Sequence, residues 1–355
     1  MKVRARGEDI RKYIVENIGK YPDSIARITA GKFHITRQAV SKHLSRLKEE
    51  KVLTETGNTR ARSYKLAPLV EWSGTYPLAG SPTTPAEDVV WTNDIRPTLG
   101  QLPDNVLNIW HHGFTEMFNN AVDHSDGNGI RVRIQKTAAD TEMLVLDDGI
   151  GIFKKIRSAL NLLDERHAVL ELAKGKFTTD PDRHSGEGIF FTSRMFDSFE
   201  IRSGGVLFSH DFGMPEDWIF EQDEPGKGTA VRMKLNNHAA RTTKKVFDQF
   251  SSDEDYTFHK TIVPVKLAKY GDDNLISRSQ AKRLLARIEL FKVVILDFKE
   301  VPTIGQAFAD EIFRVFPNQH PNVSLVPIHT NSEVKRMIER VTTGSGTSPE
   351  TKPAS

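Results

Sequence analysis

The chain has 355 residues, enough for two or three domains, and is 38% hydrophobic and 27% charged. No apolar run approaches the roughly 18 residues of a membrane span, the N-terminus has no apolar signal core, and the lack of cysteine excludes disulfides and thiolate zinc sites, which together fit a cytoplasmic protein without a membrane partner. The net charge of +2 hides an asymmetry: residues 1–67 carry 16 Lys+Arg against 7 Asp+Glu, a net of +9, and the remainder is net −7, so the first segment points to a polyanion partner.

Ile10, Ile14 and Ile18 lie four apart, and this spacing predicts a helix over 8–20 with one buried side. A short second helix is expected over 24–30. Thr36 is placed to cap a third, over 37–50, whose Val40, Leu44 and Leu47 face inward. Its outer positions are Arg37, Gln38, Ser41, Lys42, His43, Ser45 and Arg46, side chains that reach base edges and phosphates. Residues 51–66 read as strand, Gly57-Asn58 turn and strand, with Arg60, Arg62 and Lys65 at the tip and return. Three helices and a basic hairpin, with the stretch Ile35-Thr-Arg-Gln-Ala-Val-Ser-Lys-His-Leu44, resemble a winged helix-turn-helix domain over 1–67. The resemblance implies DNA as a partner, with a basic three-helix protein-binding module as the alternative. Winged helices often bind as dimers, but the chain has no heptad seam, so a homodimer is one arrangement among several.

Residues 68–104, punctuated by Pro77, Pro82, Pro85 and Pro97, read as a linker with a short amphipathic piece around Val89-Val90-Trp91. Over 112–124, Phe114, Met117, Phe118, Ala121 and Val122 recur at spacings of three and four, which predicts a helix with a buried stripe. Glu116, Asn120 and His124 are four apart and stack on another face. A carboxylate, an amide and an imidazole in a row suit a site that holds a metal ion and activates a water or hydroxyl; a solvated face with a capping histidine is the other reading. An apolar run from Met143 ends in Asp147-Asp-Gly149-Ile-Gly151; Gly186-Glu-Gly188 and Gly226-Lys-Gly228-Thr229 follow. Any one of these glycine pairs alone reads as an ordinary turn. Strands are expected at 130–136, 142–147, 198–202, 206–210 and 229–235, with a polar loop between Gly175 and Ser185.

The order Glu-x-x-x-Asn, Asp-x-Gly-x-Gly, Gly-x-Gly, Gly-x-Gly-Thr over residues 105–236 resembles the GHKL ATPase domain of histidine kinases, gyrase, mismatch-repair ATPases and anti-sigma-factor serine kinases. The resemblance implies a two-layer α/β sandwich that takes ATP with Mg²⁺. Asp147 then accepts a hydrogen bond from the adenine amino group, Gly149 and Gly151 let the backbone approach the base, and Thr229 sits near the base with Asp147. Asn120 ligates Mg²⁺, and Gly186 and Gly188 open a helix whose N–H groups face the phosphates. The loop Lys176–His184 resembles the family's ATP lid, with Lys176, Arg183 and His184 as alternatives for a charge on it. Glu116 is the general base of the family, acting on water in the ATPases and on a serine hydroxyl in the kinases. His124, in Asn-Ala-Val-Asp-His, resembles the anti-sigma kinases. No helical hairpin with a phospho-accepting histidine precedes the domain, which argues against a histidine kinase.

Residues 237–259 read as a second linker, and 260–342 alternate strand (261–267), helix (277–290), strand (293–297), helix (305–316), strand (323–328) and helix (331–341), a small α/β domain. The segment from Val293-Val-Ile-Leu-Asp297 to Phe313 resembles the centre of a STAS domain, closest to the STAS-like domain of unknown function. The anti-sigma-factor antagonist family of STAS domains places Asp-Ser-Ser-Gly after the central strand, and one serine takes the phosphate. The corresponding positions here are Gly305, Gln306, Ala307 and Phe308, so no hydroxyl remains, and Thr303 is a poor substitute. The domain is therefore expected to dock or sense a protein partner. Residues 343–355 read as a disordered tail. The whole is an α/β multidomain chain: a DNA-binding regulator switched by Mg²⁺ and ATP, with an anti-sigma-type serine/threonine kinase as the alternative.

Overall fold

The computed structural model describes residues 2–57, 62–78, 84–177, 186–213, 217–251, 258–269 and 274–343. Arg60, Arg183, His184 and the tail from residue 344 lie outside them. The chain divides into two compact units, Met1–Asp147 with Phe196–Ser198 and Ala230–Arg241, and Asp148–Met195 with Phe199–Thr229 and Thr242–Ser355.

In the first unit, α1 (Lys2–Asn17), α2 (Ile25–Phe33) and α3 (Arg37–Glu49) precede an antiparallel pair, β1 (Leu53–Thr56) and β2 (Ser63–Leu66), in the register Leu53↔Leu66 to Thr56↔Ser63. The isoleucine row of α1 is buried together with Ile25, Val40, Leu44, Leu47, Leu53 and Tyr64 in one cluster. Thr36 caps α3: its hydroxyl accepts from the Ala39 amide at 3.2 Å.

The stretch expected as a linker over 68–104 is structured. β3 (Val70–Pro77) pairs antiparallel with β4 (Gly129–Lys136), from Val70↔Lys136 to Pro77↔Gly129. Val70, Trp72, Gly74 and Tyr76 alternate with exposed residues, a period of two that the neighbouring prolines masked. Pro77 is tolerated because β3 is an edge strand. The amphipathic piece is α4 (Glu87–Val90), which continues through a π turn, Trp91–Ile95, into α5 (Arg96–Leu99) and buries Val90, Ile95 and Leu99. The Tyr76 hydroxyl donates to Asp94 at 2.7 Å and ties this helical segment to β3.

The long helix α6 (Asp104–His124) packs on β4 and β5 (Asp140–Asp147). It buries Trp110, Phe114, Met117, Phe118 and Ala121 over Ile130, Val132, Ile134, Met143 and Val145. Val122, expected in that stripe, is exposed.

Further elements follow: α7 (Ile152–Leu160), α8 (Glu165–Lys174), α9 (Gly188–Met195), β6 (Ser198–Asp211) and β7 (Asp217–Asn236). The expected strands at 198–202 and 206–210 are one strand, because Gly204 and Gly205 do not interrupt the ladder. β7 starts well before the expected 229. The sheet order is β3-β4-β5-β7-β6, with Asp140↔Asn236 to Leu146↔Ala230 in antiparallel register.

The expected linker over 237–259 carries α10 (Thr243–Asp248) and an aromatic cluster. The Phe247 ring lies 4.3 Å from Phe191, and Phe250 and Phe258 lie 5.0 and 4.5 Å from Phe190. Its polar composition hid three phenylalanines that pack on α9. Beyond it, β8 (Lys260–Pro264), α11 (Arg278–Leu285), β9 (Val293–Asp297), α12 (Gln306–Asp310), α13 (Phe316–Gln319), β10 (Ser324–Ile328) and α14 (Ser332–Thr343) build a parallel sheet in the order β10-β9-β8 with helical crossovers. The strand expected over 261–267 ends at Pro264 and tightens into a 3₁₀ turn, Val265–Ala268. Among the described residues, no helix is long and apolar enough to cross a membrane.

Candidate functional site

In the first unit, α6 carries Glu116, Asn120 and His124, each half-buried, beside the buried stripe that fixes the helix on the sheet. Asp147 closes β5 opposite Ile130 and is also half-buried. Among the described residues no group of three or more His, Cys, Asp or Glu is arranged to hold a metal ion. A single amide oxygen such as that of Asn120 still fits Mg²⁺, which keeps most of its waters and takes one or two protein ligands.

In the second unit the motif residues are knotted together. Gly151 precedes α7 with φ +91, and a Cβ there would stand 2.5 Å from Ser203 Oγ and 3.3 Å from the Gly228 carbonyl. Ser203 Oγ donates to that same carbonyl at 3.1 Å. Thr229 is buried, and its hydroxyl accepts from the Ile152 amide at 3.0 Å, so it supplies the cap that Gly151 lacks at the start of α7. The glycine of one motif, the Gly-Thr of another and Ser203 therefore hold one turn, and Gly149 within it is buried. Ser203 was missed by sequence reading; the signal was a serine directly before the Gly204-Gly205 pair of a strand.

Gly186 has φ +72, and a Cβ there would meet the Phe177 backbone at 2.5 Å. The Phe177 amide donates to the Gly186 carbonyl at 3.2 Å. Gly188 opens α9, and Glu187 between them is half-buried. Burial raises the pKa of Glu187, and attraction to Lys176 partly offsets this. Burial likewise lowers that of Lys176, which Glu187 opposes. Of the three candidates for a loop charge, Lys176 donates to the Leu290 carbonyl at 3.0 Å and lies over the Phe291 ring at 5.0 Å.

On α3, Arg37, Gln38, Ser41, Lys42 and Arg46 are all exposed on the face away from Val40, Leu44 and Leu47. Arg46 pairs with Glu50 at 2.8 Å and Arg62 with Glu55 at 2.6 Å. His43 is half-buried, and its pKa is lowered by burial and then by Arg11 and Arg46.

Residues 94–207 match the histidine kinase-like ATPase domain, and residues 280–335 match a STAS-like domain of unknown function. No curated protein matches the chain. The chain therefore carries a histidine-kinase-like (GHKL) ATPase domain and a STAS-like domain. The first match begins inside the π turn between α4 and α5 and so takes in α5 together with α6.

Proposed function

We propose that this ATPase domain binds ATP with Mg²⁺ and that binding switches the chain's hold on DNA or on a protein partner. The reading rests on the ordered motif set in the matched domain, and above all on the turn in which Gly151, Ser203, Gly228 and Thr229 leave no room for a side chain. In this reading Asp147 accepts from the adenine amino group, which selects adenine over guanine. Asn120 holds Mg²⁺ through its amide oxygen, and the amides of Gly186 and Gly188 at the start of α9 face the phosphates. Bound Mg²⁺ supplies neutralisation of the phosphate charge. DNA enters through the net +9 of residues 1–67 and the exposed face of α3. ATP shifts the population only as far as it prefers one state over the other.

A second reading, a serine/threonine kinase, is favoured by Glu116, one helical turn before Asn120 and half-buried. There Glu116 takes the proton of the attacking hydroxyl. One experiment separates the two: titration of the full chain with ATP and Mg²⁺, followed by turnover on the same sample. Tight binding with little turnover, and DNA affinity that changes with ATP, supports the switch. Turnover that falls by about 10²-fold or more in Glu116→Ala supports catalysis. No binding of ATP by the wild-type chain overturns both.

A further inference from the structure

The family matches assign no relation between the ATPase domain and the STAS-like domain. We infer that Arg287 of the STAS-like domain is a positioning residue for the Gly186–Gly188 turn, so that the STAS-like domain sets the affinity for the nucleotide's phosphates. This rests on the nucleotide reading above.

Lys174 closes α8. Lys174 is 1% exposed, and its ammonium donates to Glu171 at 2.6 Å and to the carbonyls of Ala286 and Arg283 at 2.8 and 3.2 Å. Those carbonyls belong to the C-terminal end of α11, where that of Arg283 also accepts from the Ala286 amide and that of Ala286 lies beyond the last helical residue. The Lys174 carbonyl in turn accepts from Thr261 at 2.7 Å, on β8. A buried ammonium is costly unless every donor is satisfied. Two of its three partners here, the carbonyls of Arg283 and Ala286, come from the STAS-like side, which makes this docking specific.

Arg287 follows α11 in a left-handed turn with φ +64, and its side chain reaches the end of α8. Its guanidinium donates to the Lys176 carbonyl, lies 3.4 Å from Glu171 and sits 5.0 Å over the Phe177 ring. Phe177 is the residue whose amide holds the Gly186 carbonyl and whose backbone fills the space beside Gly186. Lys176, gripped by the Leu290 carbonyl and Phe291, attracts Glu187 within the same turn. A cation of the STAS-like domain thus reaches the glycine turn through two consecutive residues. Anything that moves Arg287, such as a partner bound to the STAS-like domain, moves that turn.

The test uses the full-length chain and Arg287→Ala, with Arg287→Lys retaining the charge but not the planar fork. Arg287→Ala should weaken ATP by about tenfold, the loss of one charge-assisted contact, while adenosine, which has no phosphate, changes by less than about twofold. Arg287→Lys should fall between. Hydrogen exchange of the nucleotide-free chain should rise at 174–177 and 186–190 but not in α6. Unchanged exchange there, or ATP and adenosine weakened alike, overturns the inference. If the wild-type chain binds no ATP, the nucleotide reading fails and the inference with it. Exchange that still rises in Arg287→Ala would then identify Arg287 as a docking contact without a nucleotide role.

Discussion

At the scale of single residues, His112 links stability to pH. It begins the motif on α6, and its pKa is pushed down to about 4, first by burial and then by the neighbouring His111. The unfolded value is near 6.5. The folded state therefore binds fewer protons, and the contribution of His112 is fully present above pH 6.5 and lost as pH falls through the window from 6.5 to about 4. The loss reaches up to about 3 kcal/mol. Urea unfolding of the wild type should weaken across that window, and His112→Gln should flatten the dependence; parallel profiles would refute the assignment. The sequence reading passed over His112 because its burial comes from packing against residues distant in the chain. Gly151 was legible as a motif residue, but its reason was not. Ser203 and Gly228, which forbid a side chain there, are 52 and 77 positions away.

At the scale of elements, helices that advertise both a cap and a stripe were readable. α3 shows Thr36 before it and an inward row of Val40, Leu44 and Leu47, and all four act as their chemistry requires. Thr36→Ala should cost about 1 kcal/mol, read as roughly fivefold faster hydrogen exchange of the α3 amides, with α1 less affected; unchanged protection of α3 would mean the cap is not needed. On α6 the same periodicity predicted one residue too many: Val122 continues the spacing but is exposed near the helix end. β3 was missed for the opposite reason. It is an edge strand with only Tyr76 fully buried, so its alternation is shallow, and it acquires its register from β4 alone.

At the scale of the whole molecule, the charge asymmetry is the feature on which the proposed DNA contact rests. If the exposed face of α3 meets a phosphate backbone, replacing Arg37, Lys42 and Arg46 with Ala should reduce the slope of log affinity against log salt by about 3. The slope is measured by titrating duplex DNA at several salt concentrations, and an unaltered slope would remove α3 from the interface. Arg46 should contribute least of the three, because Glu50 competes for it. The two expected linkers show how composition misleads at this scale. Stretches 68–104 and 237–259 are polar and proline- or charge-rich on average, yet a few aromatics in each, Trp72 and Tyr76 or Phe247, Phe250 and Phe258, tie the backbone to a sheet or a helix. Averages over a window dilute such anchors; packing depends on the individual side chains.

The sequence alone determined what is local or compositional: helical and strand periodicities, the cap at Thr36, the spacing within each of the four motif blocks and the excess charge of residues 1–67. Each of these depends on spacings within a few turns or on composition. The tertiary structure alone decided which distant segments meet: β3 beside β4, Thr229 at the start of α7, Ser203 against Gly151, and Arg287 over Phe177. The reason is physical. A hydrogen bond or a close contact between residues tens of positions apart leaves no period in the chain, and it forms only once the burial of many other side chains has brought the two segments together.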